Sequence, residues 1–372
     1  MTLLIFIAVL VVLILVHEFG HFIVAKMAGI RVDEFGIGFP PKLLGKKYGE
    51  TEYTLNALPI GGFVRIWGED PTQEHYGDGL EAKRSFVKQP KYIQALVLVA
   101  GVSMNILLAF ALYTCAYMIG IPTSVATIEE AQELGIDDVR LFVSSVMPDS
   151  PAYEILKPSD VIVGVHTDSD SLTSESTLPS QDVSNFIANS NGSPVTLDVM
   201  RRNELTQVTV QPQKNVIADE PERYAAGFTL TLAGTERISF FPALMQGAER
   251  TVYSLVDVTY GLYMLLTGAF TGDANLSQVS GPVGIVGLVG DAAALGFTWL
   301  LVFSAFISLN LAVINLLPFP ALDGGRLVFV FIESITKKPI KPSIARGLNM
   351  IGFIALLSLM FIVTVSDVAK LF

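Results

Sequence analysis

Two histidines four residues apart flank a glutamate in the run LILVHEFGHFIVA, residues 13 to 25. On a helix, positions i and i+4 share a face, so His17 and His21 can turn both imidazoles towards one cation. Glu18 lies about 100° round the helix from His17, beside such a cation rather than behind it. This is the donor pattern of a zinc hydrolase. Two neutral imidazoles hold the metal, which lowers the pKa of water to about 7, and the carboxylate takes the proton. The pattern is short, and its setting is what makes it informative. A charge at the centre of a bilayer costs roughly 2.5–3.5 kcal/mol on insertion scales, so ionisable groups in an apolar span mark function.

A catalytic zinc takes three protein ligands and keeps a fourth position open. The other two histidines, His75 and His166, fall in polar stretches. Asp323 is the better third ligand. It is the single acid of the apolar block 299–332 and sits in NLLPFPALDGGRL, where Pro318 and Pro320 must break a helix. Irregular backbone at membrane depth survives only where protein or a water-filled cavity surrounds it. Asn315 adds a polar side chain to the same place.

Positioning these groups is the task of an apolar chain. Of 372 residues, 51% are hydrophobic and 16% charged, and the mean hydropathy is +0.53. Four apolar blocks, near 3–25, 92–128, 299–332 and 347–365, each reach the roughly 20 residues that cross a bilayer core. The first block lacks a basic n-region and a small-residue cleavage site, so it reads as a retained span. The fold class expected is a multi-pass α-helical membrane protein with four transmembrane helices, a membrane-associated β element and an inserted extracytoplasmic α+β domain. The lone Cys115 permits no internal disulfide.

The net charge of −11 is concentrated. Residues 120–245 hold 18 acidic and 7 basic residues, and nothing in that balance invites nucleic acid. Ten Lys and Arg lie between 26 and 91, and Lys337, Lys338, Lys341 and Arg346 follow the third block. The excess of basic residues places both of these connections in the cytoplasm and the acidic insert outside. A fifth apolar stretch, 248–270, carries Glu249, Arg250 and Asp257. It reads either as a span or as an interfacial amphipathic helix. With four spans, the HEFGH run and Asp323 fall at similar depths towards the cytoplasmic half, which favours the interfacial reading.

Within the insert, residues 140–165 read as strand, turn, short helix, turn and strand. SQDVSNFIANSNG reads as a helix with Ser180 as N-cap, and 194–213 as a hairpin. Ser150-Pro151-Ala152 and Leu156-Lys157-Pro158-Ser159-Asp160-Val161-Ile162 resemble the PDZ signature of bacterial membrane proteases, with Ser159 where that signature usually has Gly. The segment 52–66 alternates around Leu58-Pro59-Ile60-Gly61-Gly62, which suggests an apolar hairpin with a free edge for an extended peptide.

Taken together, the motifs resemble the site-2 protease family of intramembrane zinc metalloproteases, in the regulator-of-sigma-E style. His17-Glu18-Phe19-Gly20-His21, Phe35-Gly36-Ile37-Gly38-Phe39-Pro40, Pro59-Ile60-Gly61-Gly62-Phe63-Val64, Ser280-Gly281-Pro282-Val283-Gly284-Ile285 and Asn315 to Gly325 carry it across nearly the whole chain. The resemblance implies one Zn2+ per chain on His17, His21 and Asp323, with Glu18 as general base. It implies substrate contacts at Asn315 and at Gly61, Gly62 and Phe63 of a re-entrant loop. It implies cleavage within single-span proteins already trimmed by a site-1 protease, such as anti-sigma factors, or within remnant signal peptides. The PDZ region would act as a size filter. Two departures stand out. Gly101-Val102-Ser103-Met104-Asn105 keeps the Gly and Asn of a family GPxxN pattern without its Pro, and the insert has room for one PDZ domain. The rival reading is a non-enzymatic membrane adaptor with a PDZ domain and a structural zinc. It is disfavoured because structural zinc takes four protein ligands and gives Glu18 no task.

Overall fold

The computed structural model describes residues 1–69, 82–173, 177–201, 204–217, 220–271 and 281–369. His75 and Ser280 lie outside these. The chain forms two compact units, one of Met1–Ala116 with Ala243–Phe372 and one of Tyr117–Pro242.

In the first unit, α1 (Thr2–Met27), α2 (Lys91–Ile119), α7 (Phe297–Leu316) and α9 (Pro342–Ala369) are the described helices long and apolar enough to cross a membrane. Each boundary has a local cause. Pro90 precedes α2, supplying a carbonyl to the first turn while lacking an N–H. At the far end Gly120, at φ +126°, takes the chain out of helical conformation. On α9, Met350, Ile351, Phe353 and Phe361 are all exposed. A continuous apolar surface of this kind has its place in lipid rather than in water. The segment 248–270 lies within one long helix, α5 (Phe240–Thr271), which is not among those four. A shorter apolar helix, α6 (Pro282–Leu295), follows the undescribed 272–280.

The third apolar block is two helices rather than one. Helix α7 ends at Leu316, and a second helix, α8 (Asp323–Thr336), starts at the aspartate itself. The cause is Pro318 and Pro320, with Ala321 held at φ +76° between the helices. The freed N–H of Ala321 donates to Asn349 Oδ1 of α9 at 3.2 Å, which satisfies a backbone group that would otherwise be costly in an apolar setting.

Between α1 and α2 run two long strands, β1 (Val32–Tyr48) and β2 (Thr51–Ile66). They form more than a plain hairpin. Tyr48 to Lys42 pair with Thr51 to Asn56 across the turn, and Val32 to Ile37 pair with Ile66 to Gly62. Glu34, Phe35, Gly36 and Ile37 also face Glu52, Tyr53, Thr54 and Leu55, advancing in step. The first half of β1 therefore lies between the two halves of β2, and the second half of β2 forms an edge.

In the second unit, seven strands form a sheet in the order β3 (Ile121–Val125), β9 (Phe228–Glu236), β4 (Asp137–Val146), β5 (Val161–His166), β7 (Val195–Arg201), β8 (Glu204–Val210), with β6 (Ser171–Thr173) on β5. The hairpin read at 194–213 is β7 and β8. The helix read at 180 is α4 (Ser180–Asn189), capped by Pro179 with no side-chain bond from Ser180. No helix forms at 151–157, where the chain makes turns. Strand β9 lies beyond the 194–213 hairpin in the chain, yet it pairs with both β3 and β4. Its non-local partners explain why no local pattern marks it. Asp160, buried, receives two bonds from Arg201, at 2.7 and 2.6 Å, and the Lys157 N–H at 2.9 Å. Ser159 beside it adopts φ +75°, a conformation that favours glycine.

The β1–β2 turn is tied down by charge. Glu50 Oε1 accepts from Lys26 Nζ at the end of α1 at 2.6 Å, and Arg84 Nη2 reaches it at 2.7 Å. The hydrogen bond from Arg84 holds the Glu50 pKa down at about 2 against the opposing effect of partial burial, and Lys26 adds to it. A depressed folded-state pKa contributes stability that is complete above the ordinary 4.5 and is lost as pH falls towards 2. The hydrogen-exchange protection of 42–56, taken against the intrinsic amide rate at each pH, is therefore expected to be constant down to about pH 5 and to fall below it. Glu50→Gln should show the faster exchange at neutral pH while α1 stays protected.

Candidate active site

His17 and His21 are buried on the face of α1 that meets α2. The Nε2 atoms of the two rings are 3.1 Å apart, and Asp323 Oδ2 lies 3.0 Å from His17 Nε2 and 3.3 Å from His21 Nε2. Among the described residues this is the one group of three His, Cys or acidic side chains able to share an ion. Four donors around a tetrahedral zinc at about 2.0–2.1 Å would be separated by about 3.3 Å. The triangle in the protein has nearly that edge. Its chemistry agrees, because two ring nitrogens and a carboxylate oxygen turn lone pairs on one another, and a cation satisfies all three.

The orientation of each donor has a visible cause. His21 Nδ1 donates to the Val97 carbonyl of α2 at 2.8 Å, which leaves Nε2 free of its proton. Asp323 is the first residue of α8, where a carboxylate meets the positive end of the helix dipole. Gly324 sets the turn into that helix, since a Cβ there would stand 2.2 Å from the Leu317 carbonyl oxygen. Gly101 of α2 faces the histidines directly. A Cβ at this position would lie 2.4 Å from His21 Nε2 and 2.7 Å from His17 Cε1, so the absence of a side chain makes room for the donors.

Glu18 Oε2 accepts from the backbone N–H of Val64 in the edge half of β2, at 3.1 Å. A cavity of ≈ 250 Å³ opens beside it, lined by Ile14, His17, Glu18, Asn105, Leu311, Asn315, Ala321, Leu322 and Asp323. The structure thus brings together all four residues of the predicted metal and base set and adds Asn315 at the end of α7. Gly61, Gly62 and Phe63 are not in this lining. Gly62 lies alongside α1, where a Cβ would be 3.2 Å from Leu15 Cδ2 and 3.9 Å from Glu18 Cγ. The Phe63 ring stacks on Phe39 at 6.3 Å. Motif reading gave no role to Val64, Gly101 or Asn105. For the last two a signal existed: their i, i+4 spacing puts both on one face of α2.

A model of peptidase family M50 matches residues 5–359. The chain belongs to this family. A Clostridium perfringens protein carrying the zinc metalloprotease name is 37% identical over 358 residues, covering 96% of this chain and 95% of its own. The regulator of sigma-W protease RasP of Bacillus subtilis is 31% identical, with 100% and 99% covered, and the zinc metalloprotease RasP of Geobacillus kaustophilus 29%, with 99% and 97%. The M50 chain is thus a zinc metalloprotease, and the adaptor reading is set aside. A solved PDZ domain from Listeria innocua aligns with 24% of the chain and 92% of its own length, at 21% identity and a TM-score of 0.20. That score adds nothing to the sheet as described.

Gly101→Ala is expected to push α2 away from the histidines and to weaken zinc binding by about tenfold or more. Gly347→Ala is the control, because a Cβ there meets open space. Chelator competition on the purified proteins measures the difference.

Proposed function

We propose that this M50 metalloprotease hydrolyses peptide bonds within the membrane segments of single-span proteins. The observation that carries this reading is a polar cavity of ≈ 250 Å³ beside three convergent metal donors and a fixed carboxylate, among helices apolar enough to span a bilayer. His17, His21 and Asp323 would hold one zinc per chain. Bound there, zinc supplies Lewis acidity, polarising a carbonyl and making water nucleophilic at neutral pH.

The chain's own groups do the rest. Glu18 takes a proton from the attacking water and returns it to the leaving amine. The Val64 N–H holds one carboxylate oxygen, so the other is free to face the cavity. Asn315, which also lines the cavity, offers an amide donor that can hold a substrate backbone carbonyl. A substrate helix hides its carbonyls in internal hydrogen bonds and must be extended before attack. The Leu58–Ile66 edge of β2, with Gly61, Gly62 and Phe63, provides a strand for it to join. The β-rich unit, whose sequence has the PDZ-like signature, would admit chains already shortened by a first protease. The placement of basic residues supports a cytoplasmic active site with that unit outside. The sigma-W name of the Bacillus subtilis relative supports an anti-sigma factor as the substrate class, and remnant signal peptides share the same single-span chemistry.

The test is cleavage of a single-span reporter in liposomes by the wild-type, Glu18→Gln and Asp323→Asn proteins. Glu18→Gln should keep its zinc and lose about 10²- to 10⁴-fold in turnover. Asp323→Asn should lose both zinc and cleavage. Undiminished cleavage by Glu18→Gln would remove the general base from this scheme.

A further inference from the structure

His17 must carry a proton on Nδ1 if its Nε2 lone pair is given to a metal, and a buried N–H needs an acceptor. His21 has the Val97 carbonyl for this purpose. At His17 the facing group is the Asn105 side-chain amide of α2, whose nitrogen is placed 3.4 Å from Nδ1. Asn105 is fully buried, and its Oδ1 has no hydrogen-bond partner. An amide turned by half a revolution exchanges these two atoms. The oxygen then accepts from His17 Nδ1–H, and the orphaned acceptor finds a donor.

Asn105 is held for this role from a third helix. Ser308 of α7, also buried, donates its hydroxyl to the Asn105 backbone carbonyl at 2.8 Å. Three helices are thereby joined in one line: Ser308 to the Asn105 backbone, and the Asn105 side chain to the His17 ring. The opposite ring nitrogen of His17 meets Asp323.

We infer that Asn105 is a positioning residue for the metal ligand His17, its side-chain oxygen accepting from Nδ1–H and so fixing the tautomer that presents Nε2 to the metal. This rests on the zinc reading of His17, His21 and Asp323, and its readout is kept separate from cleavage. Zinc affinity of the full-length protein in detergent is measured by chelator competition for the wild-type, Asn105→Ala and Asn105→Asp proteins, with thermal unfolding of the zinc-free forms as the check on folding. Asn105→Ala should bind zinc about 10- to 100-fold more weakly. Asn105→Asp retains an acceptor at the same place, so its affinity should return to within a few-fold of wild type. Wild-type affinity in Asn105→Ala would overturn the assignment. So would equal loss in both variants with unchanged zinc-free unfolding temperatures, because a packing role does not distinguish an oxygen acceptor from a methyl group. Should Asn105→Ala fail to fold, Asn105→Leu, of similar volume and without an acceptor, takes its place and must show the same loss. Should His17→Ala leave zinc binding intact, it is the zinc reading itself that fails.

Discussion

Everything in the first unit answers to one requirement: three lone-pair donors from positions 17, 21 and 323 must lie within about 3 Å of one another inside an apolar bundle. Without a cation such an arrangement is repulsive and desolvated, and in low dielectric both penalties grow. The surrounding helices are built around that requirement. Helix α2 approaches close enough to face the rings only because Gly101 has no side chain. Helix α7 stops at Leu316 so that a new helix can begin on the aspartate. Moving either element by the width of a methyl group would open the triangle.

The candidate base is governed by a different element from the candidate ligands. Glu18 belongs to α1, but its orientation is set by the backbone of β2 through the Val64 N–H. That ribbon is anchored at two ends by charge. Its turn is fixed by Glu50 with Lys26 and Arg84, and Glu69, just beyond β2, pairs with Arg326 of α8. Arg326 follows Asp323 by one helical turn, on the same short helix. The edge of β2, Glu18 and Asp323 are therefore mechanically connected, although they lie far apart in the sequence.

How much of this can be read from the sequence depends on the range of the interactions. His17 and His21 are legible because helical spacing alone fixes their common face, and Glu18 because the same spacing sets it beside that face. Asp323 is legible because a lone acid in an apolar block is costly unless a cation or a donor meets it. The apolar blocks reveal the four long apolar helices for the same local reason. The break after Leu316 is visible in its prolines, but not that the aspartate heads a separate helix. The return of β2 along both sides of β1, and the insertion of β9 between β3 and β4, depend on partners distant in the chain. Strand pairing of that kind leaves no local periodicity to find. Val64 acts through a backbone N–H, which no side-chain pattern can announce.

The second long apolar helix, α2, shows how a departure from the GPxxN pattern can leave the geometry of the candidate site in place. Where the GPxxN pattern has its proline, this chain has Val102, and a missing proline suggests a missing bend. Yet α2 runs unbroken from Lys91 to Ile119. What the site takes from this stretch is the empty space at Gly101 and the amide at Asn105, one helical turn apart on the face that meets α1. Neither depends on residue 102. A proline would alter the backbone hydrogen bonding one turn earlier, at the Leu98 carbonyl, without changing which groups point at the histidines. The glycine and the asparagine are the two positions of the motif that touch the chemistry, and they are the two retained.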